Sequence, residues 1–251
     1  MKKLRNGKLK LWAVLFWLAV WQIAAMITDL PLILPAPADV FMRLYHLVRE
    51  GSFWASVLNT FSHIALGFSA AFVLGAALAF LASRFRLVRD LLAPLMLCVK
   101  SIPVASFVIL AIIWFTKYWL SSLIAFTMVL PVIYTNLLDG LSALDPQLTE
   151  MAAVFRLSAW KRFRYVDLVQ LLPFLRTGLS VSLGLCWKSG VAAELIGVPK
   201  GTVGQQLYNA KIYLETTDVF AWTLIIVLIS ILFQKLIMGL VWLLSRRLER
   251  M

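Results

Sequence analysis

The chain has 251 residues, of which 62% are hydrophobic and 14% are charged, and its mean hydropathy is +0.88. A soluble domain carries about 25% charged residues, so this composition excludes an ordinary soluble protein and indicates an integral membrane protein. The net charge of +12 could suggest a nucleic-acid partner, but the basic residues border apolar segments, where they orient a membrane protein, so none is expected. Cys98 and Cys186 both lie in apolar segments and are predicted to be buried free thiols.

Six apolar segments are predicted to cross about 30 Å of hydrocarbon as helices, because a helix satisfies its own backbone hydrogen bonds in lipid. They lie at 9–28, 60–83, 97–115, 119–138, 171–192 and 220–244. Cytoplasmic segments of membrane proteins carry an excess of Lys and Arg. With the N-terminus inside, the inner segments hold fifteen such residues and the outer segments hold five. Both chain ends and the segment between the fourth and fifth spans are therefore predicted to be cytoplasmic.

The two longer outer segments are each predicted to contain a short helix. In the segment 29–59, prolines exclude an early helix, and Asp39 is predicted to cap an amphipathic helix along the outer interface. The apolar face of that helix consists of Val40, Leu44, Leu47 and Val48. In the segment 193–219, a bend rich in glycine precedes TVGQQLYNAKIYL, which is predicted to be helical.

Small residues are concentrated in the second and fifth predicted spans, where they let helices approach closely in lipid. These two spans are therefore predicted to lie at the centre of the helix bundle, and the Trp-rich first span is predicted to lie at its periphery. We expect a single domain over 1–251. Within it, 1–59 forms the first span and outer helix, and 60–251 forms a five-span core with a cytoplasmic loop at 145–170. The residues that predict the central packing are Gly67, Ser69, Ala70, Ala71, Gly75, Ala76, Ala77 and Ala79, and Gly178, Ser180, Ser182, Gly184, Ser189, Gly190, Ala192 and Ala193.

A basic, amphipathic insert at 145–173 separates the fourth and fifth spans. Asp145-Pro146 is a helix-start signal, and apolar residues at helical spacing follow, beside Lys161, Arg162 and Arg164. Such a segment could lie on anionic lipid or dock in a groove of a partner protein. The apolar residues concerned are Met151, Val154, Phe155, Leu157 and Trp160.

Within the insert, Glu150-Met151-Ala152 followed by FRYVDL resembles the cytoplasmic loop of permease subunits of ABC importers. That pattern has Glu-Ala-Ala, a glycine four residues after the last alanine, and an aliphatic-x-Leu-Pro ending. Met151 replaces the first alanine, Arg156 replaces the glycine and Val169 replaces the proline. We expect Arg156 to hinder or straighten the turn that glycine permits. The resemblance implies that the ATPase-coupling residues are Glu150, Met151, Ala152, Ala153, Phe155, Arg156 and Leu157, although Glu150 could simply cap a helix or face water.

The resemblance extends over most of the chain. It is carried by Ser101-Ile102-Pro103 and by LPAPADVFMRLYHLVREGSFW, NTFSHIALGFSAAFVLGAALAFLASRF and LGLCWKSGVAAELIG, which look like the nitrate/sulfonate/taurine branch of these permeases. It implies the type I ABC importer permease fold, an all-α protein with six spans and a cytoplasmic coupling helix, in a bacterial inner membrane. It also implies a second permease copy, two cytoplasmic ATP-binding subunits and an extracytoplasmic solute-binding protein.

The chain is expected to be a transport subunit and not an enzyme. It contains no Gly-x-x-x-x-Gly-Lys-Ser/Thr phosphate-binding motif, so ATP and magnesium are expected in the partner ATPase, with no cofactor or metal in this chain. An intramembrane protease is disfavoured because Trp187-Lys188-Ser189-Gly190 lacks the first glycine of the serine-protease motif. The alternative of a channel or secondary transporter would leave the insert without a purpose.

Ionisable residues in spans are costly in hydrocarbon and usually face a bundle interior or water. Lys188, flanked by Ser182 and Ser189, is predicted to line the pathway of a small anion, with Glu194 nearby. Lys188 could instead pair with Glu194 or extend to the outer interface. The cargo is expected to be a sulfonate, taurine, nitrate or bicarbonate. The alternative is a cationic or neutral cargo such as a thiamine precursor.

Overall fold

The computed structural model describes residues 10–249, and these residues fold entirely into helices and short connections without a strand. Lys2, Lys3, Arg5, Lys8 and Arg250, which contribute to the predicted orientation, lie outside the described residues. The helices are α1 (Leu11–Thr28), α2 (Pro37–Leu47), α3 (Gly51–Arg84), α4 (Arg86–Ser101), α5 (Val104–Trp114), α6 (Leu120–Ser142), α7 (Pro146–Val154), α8 (Ala159–Arg162), α9 (Leu168–Gly197), α10 (Val203–Ile212) and α11 (Thr216–Glu249).

Five of these helices, α1, α3, α6, α9 and α11, are long and apolar enough to cross a membrane. They correspond to the first, second, fourth, fifth and sixth predicted spans, and the all-α membrane fold is confirmed. The pair α4 and α5 raises the number of spans to six if the pair counts as one broken span. The predicted short outer helix before the last span is also present, as α10.

The third predicted span is not one straight helix. The prediction of a continuous helix at 97–115 was wrong, because α4 and α5 meet at Ile102-Pro103 and are bent by 104°. Pro103 supplies no backbone N–H, and Ile102 before it is extended, with φ −73° and ψ 126°. The 11 residues of α5 span about 16 Å, well short of the hydrocarbon thickness.

The centre of the described fold is a three-helix layer in which α3 and α9 both pack along α6 and also contact each other. Small residues make this possible: a Cβ on Gly67 would overlap the backbone oxygen of Ser122 in α6. A Cβ on Gly178 would come within 3.0 Å of Asn136, also in α6. The predicted central position of the second and fifth spans is therefore correct, and α6 is the third helix of this centre.

The N-terminal helices lie at the edge of this layer. The Trp-rich α1 has few buried residues, and it is held through Trp21, whose Nε1 donates to the Pro35 carbonyl at 3.1 Å. The ring of Trp21 also stacks on Phe220 of α11, with 5.7 Å between centroids. Cys98 is exposed rather than buried as predicted, because it lies on the outward face of α4, whereas Cys186 is buried.

The short helix α2 packs against α11 through the predicted apolar face, with Val40 and Leu47 buried. Its N-terminal cap is Ala36 followed by Pro37, and the side chain of Asp39 makes no capping bond, so that predicted cap was wrong. The guanidinium of Arg43 donates to both carboxylate oxygens of Asp218, at 2.5 and 2.7 Å. The bond to Asp218 raises the pKa of Arg43, so the guanidinium in this link between α2 and α11 stays charged throughout the physiological range.

Candidate coupling segment and translocation residues

The insert between α6 and α9 begins with a capped helix. The Asp145 side chain accepts a hydrogen bond from the Gln147 amide at 2.8 Å, and Pro146 occupies the first turn, as its fixed φ favours. The Asp145 amide donates to the Gln170 side chain at 2.9 Å. Since Gln170 belongs to α9, this bond ties the start of the insert to the base of the following membrane helix.

The turn after α7 is closed by a Schellman motif. Arg156 is left-handed, with φ +51°, and its amide donates to the Ala153 carbonyl at 2.9 Å. The Leu157 amide donates to the Ala152 carbonyl at 3.0 Å, which completes the two-bond pattern. Arg156 therefore occupies the position that glycine usually fills, and it makes the turn instead of straightening the chain.

The chain then returns to the membrane through α8 and a π-helical turn at Phe163–Asp167. The Ser158 side chain caps α8 by accepting from the Lys161 amide at 3.4 Å. The Phe163 ring lies 5.9 Å from Phe80 of α3, and the Trp160 ring lies 6.0 Å from Phe163. These aromatic contacts fix the second half of the insert against the C-terminal end of α3.

Large apolar side chains cover the surface of this insert that faces away from the rest of the fold. Val154 is 80% exposed, Phe155 72% and Trp160 67%, whereas Ala152 is buried against the rest of the fold. Of the predicted coupling residues, Glu150, Met151, Ala153, Phe155 and Arg156 are exposed, and Leu157 is half-buried. We call the exposed residues Met151, Val154, Phe155 and Trp160 the coupling surface.

The predicted pathway residues separate into an exposed cation and three buried groups. Lys188 is exposed, whereas Ser182, Ser189 and Glu194 are buried. The Ser189 hydroxyl donates to the Leu185 carbonyl of its own helix at 2.9 Å, and the Ser182 hydroxyl has no partner among the described residues. Within residues 10–249, Lys188 forms no ion pair with Glu194.

Lys188 lies on a face of α9 that residues 10–249 leave uncovered. Thr177, Val181, Gly184 and Lys188 recur every three or four residues, so they share this face. Thr177, Val181 and Lys188 are exposed, and a Cβ on Gly184 would meet nothing within 4 Å. We call these four residues the open face of α9.

Glu194 instead joins three helices at the other end of α9. Its carboxylate accepts from the Thr60 hydroxyl of α3 at 2.8 Å and from the Gly204 amide of α10 at 3.2 Å. The Thr60 hydroxyl in turn accepts from the Val203 amide at 2.9 Å. The Val203 and Gly204 amides, which have no acceptor within α10, thus donate to side chains of α3 and α9.

Two further bonds at the start of α10 are local. The Thr202 hydroxyl accepts from the Gln205 amide at 3.2 Å, and the Gln205 side chain accepts from the Gly201 amide at 2.7 Å. A Cβ on Gly204 would overlap the Glu194 side chain, so glycine permits the approach of α10 to α9. Thr60 and Gly204 were missed in the sequence, although the Thr-x-x-Gln spacing at 202–205 is a recognisable capping pattern.

Residues 71–250 match the protein family described as binding-protein-dependent transport system inner membrane component. The chain belongs to this family. It is therefore a permease subunit of the ABC importer class, a multi-pass protein of the inner membrane. The matched region begins within α3 and contains the coupling surface, the open face of α9, Glu194 and Gly204, but not Thr60, α1 or α2.

Individual relatives of this permease carry names for different cargoes. A Bacillus subtilis (strain 168) protein named for aliphatic sulfonates transport is 29% identical over 92% of this chain and 83% of the relative. The taurine transport system permease protein of Escherichia coli (strain K12) is 26% identical over 85% of this chain and 80% of the relative. The formylaminopyrimidine transport permease protein of Halalkalibacterium halodurans is 28% identical over 87% of both chains.

Proposed function

We propose that this permease forms half of the pathway for a small organic or inorganic anion in an ATP-driven importer. It works as a homodimer with two cytoplasmic ATPase subunits, which bind ATP and magnesium, and with an extracytoplasmic solute-binding protein. Both termini are cytoplasmic. The single observation that carries the proposal is the coupling surface, because large apolar side chains that are fixed in a polar insert require a covering partner.

The geometry of the insert suits the transmission of force. A docked ATPase would contact Phe155 and Val154, and the Schellman turn and the Gln170 bond connect that contact to α9. Ala152, buried beneath the surface, keeps α7 close to the rest of the fold. Closure of the ATPase would therefore shift the packing of α9 against α6 between two arrangements.

The coupling role is tested by truncating Phe155 in the assembled transporter. Phe155→Ala is expected to weaken ATPase association about tenfold, as for a large aromatic side chain in a docking site. Leu228→Ala provides the matched control, because Leu228 is 50% exposed but lies on α11, away from the insert. Association is measured by co-purification from membranes, with ATP-driven uptake as the second readout. Equal losses in both variants, or none in Phe155→Ala, would refute docking at this surface.

An anionic cargo is supported by Lys188 on the open face of α9. In a pathway, a cation attracts an anion, and small neighbouring residues leave room for the anion to pass. Lys188→Met is expected to abolish anion uptake by the purified, reconstituted complex without preventing assembly. Lys211→Met, at an exposed cation of α10, should leave uptake intact. Unchanged uptake by Lys188→Met would contradict a pathway role for this residue.

The second candidate cargo is a neutral or cationic compound such as a thiamine precursor. It is favoured by the similarity to the formylaminopyrimidine transport permease protein, which is as strong as the similarity to the taurine protein. Ligand binding by the cognate solute-binding protein decides between the two. Binding of taurine or an alkanesulfonate supports the anionic cargo, and binding of a pyrimidine with no response to sulfonates would reject it.

A further inference from the structure

A cleft between α4 and α6 lies apart from both the open face of α9 and the coupling surface. It has a volume of about 320 Å³. The wall formed by α4 is one helix face, because its residues recur at intervals of three and four positions. These residues are Arg89, Ala93, Met96, Leu97 and Lys100, and Tyr134, Thr135 and Leu138 of α6 form the opposite wall.

The polar side chains that line this cleft can donate hydrogen bonds to a bound ligand. Arg89 and Lys100 are exposed, and neither forms an ion pair within the described part of the chain. The Lys100 ammonium donates to the Thr135 hydroxyl at 3.1 Å, which holds the lysine across the cleft. Tyr134 is 2% exposed, and its buried hydroxyl has no hydrogen-bond partner among residues 10–249. No carboxylate is among the residues that line this cleft.

This combination fits an amphiphilic anion. Two cations and a hydroxyl donor suit the oxygens of a phosphate or sulfonate group, and Ala93, Met96 and Leu97 offer an apolar wall to an attached chain. With the cytoplasmic N-terminus of the proposed function, α4 starts at the inner boundary of the membrane. Basic pockets between membrane helices at this boundary bind lipid headgroups.

We propose that the α4–α6 cleft binds an oxyanion headgroup carrying an apolar chain, as in an anionic phospholipid of the inner leaflet. The phosphate contacts Arg89 and Lys100, and an acyl chain lies along the apolar residues of α4. An alkanesulfonate offers the same chemistry from a different source, namely the cargo. Only that second source depends on the proposed anionic cargo.

The test measures lipid bound to the full-length chain. Phosphatidylglycerol and phosphatidylcholine are titrated onto the purified protein in detergent, and bound molecules are counted by native mass spectrometry. Arg89→Gln and Lys100→Gln should each weaken phosphatidylglycerol binding roughly fivefold, the effect expected of one cation near an anionic lipid surface. Tyr134→Phe, which keeps the ring, should also weaken it. Arg86→Gln is the matched control, since Arg86 is an exposed cation of α4 outside the cleft.

A parallel titration with decanesulfonate separates the two sources. Preference for phosphatidylglycerol over phosphatidylcholine, lost in the cleft variants and kept in Arg86→Gln, supports a membrane lipid. The same variant pattern with decanesulfonate alone supports the oxyanion site with cargo as its source. Equal weakening in Arg86→Gln and Arg89→Gln would mean that the lipid responds only to general surface charge, which would overturn the proposal. Lipid binding that none of the variants changes would overturn it too. These results involve neither ATP nor uptake, so they stand independently of the coupling experiments.

Discussion

Arg156 shows how backbone geometry can persist when its usual residue is replaced. The family loop pattern has glycine at this position, and replacing it was expected to hinder or straighten the turn. The two backbone bonds of the Schellman motif, from Arg156 to Ala153 and from Leu157 to Ala152, are nevertheless in place. A non-glycine residue with positive φ carries a steric cost between its Cβ and the following carbonyl oxygen. The turn is therefore present but less stable than it would be with glycine.

Restoring glycine should stabilise this turn. Arg156→Gly is expected to favour the closed turn by about 1 kcal/mol, because glycine adopts φ +51° without the Cβ clash. Hydrogen exchange at the backbone amides of residues 156 and 157 should then slow about fivefold. Arg156→Ala is the control, since it removes the charged side chain but keeps Cβ, and it should show no such slowing. Equal protection in both variants would mean that the guanidinium, and not backbone strain, limits the turn.

The elements that follow from length and hydropathy were predicted well, and those that depend on distant contacts were not. Long apolar runs had to be helices, which identified α1, α3, α6, α9 and α11. The apolar run at 97–115 contains a break in the helix that was not predicted, because hydropathy takes no account of the missing N–H of Pro103. The amphipathic pattern of α2 was recognised, but its cap was assigned to Asp39 when Pro37 already begins the helix.

The Glu194 cluster could not be predicted from local patterns. Its partner Thr60 is 134 positions away in the sequence, and an acid in a membrane span suggests a pathway role by default. The structure places the carboxylate between α3, α9 and the first turn of α10, fully buried. In that position it holds the short helix α10 on the central layer. The pathway role of Glu194 stays a prediction beside this structural role.

Two substitutions of Glu194 separate these roles. Glu194→Ala leaves the Thr60 hydroxyl and the Gly204 amide without an acceptor, and should loosen α10 by about 1–3 kcal/mol. Glu194→Gln keeps a carbonyl acceptor, so α10 should stay protected in hydrogen exchange. Ser62→Ala on α3 is the control, because within the described part of the chain its exposed hydroxyl bonds only to the Asn59 carbonyl. If Glu194→Gln stops uptake while α10 remains protected, the charge itself serves transport.

At the scale of the whole molecule, residues 10–249 form a packed layer that leaves the open face of α9 and the coupling surface uncovered. The α3–α6–α9 layer is tight enough that glycines mark its contacts, whereas α1 and α2 attach through Trp21 and the Arg43–Asp218 pair. The open face of α9 and the coupling surface lie at different places on this layer. An ATPase on the coupling surface would therefore leave the Lys188 face free for the cargo pathway, as the proposed assembly requires.

The proposed orientation of this layer can be measured with matched cysteines. Cys98 is exposed, so the background is Cys98→Ser, while the buried Cys186 remains. Lys161→Cys reports on the coupling insert and Lys200→Cys on the turn after α9, and both lysines are exposed. A membrane-impermeant maleimide applied to intact cells, with the outer membrane permeabilised where there is one, should label Lys200→Cys at once. It should label Lys161→Cys only after the inner membrane is opened, because the insert faces the cytoplasm. The reverse pattern would place the coupling surface outside, where no ATP-driven subunit could reach it.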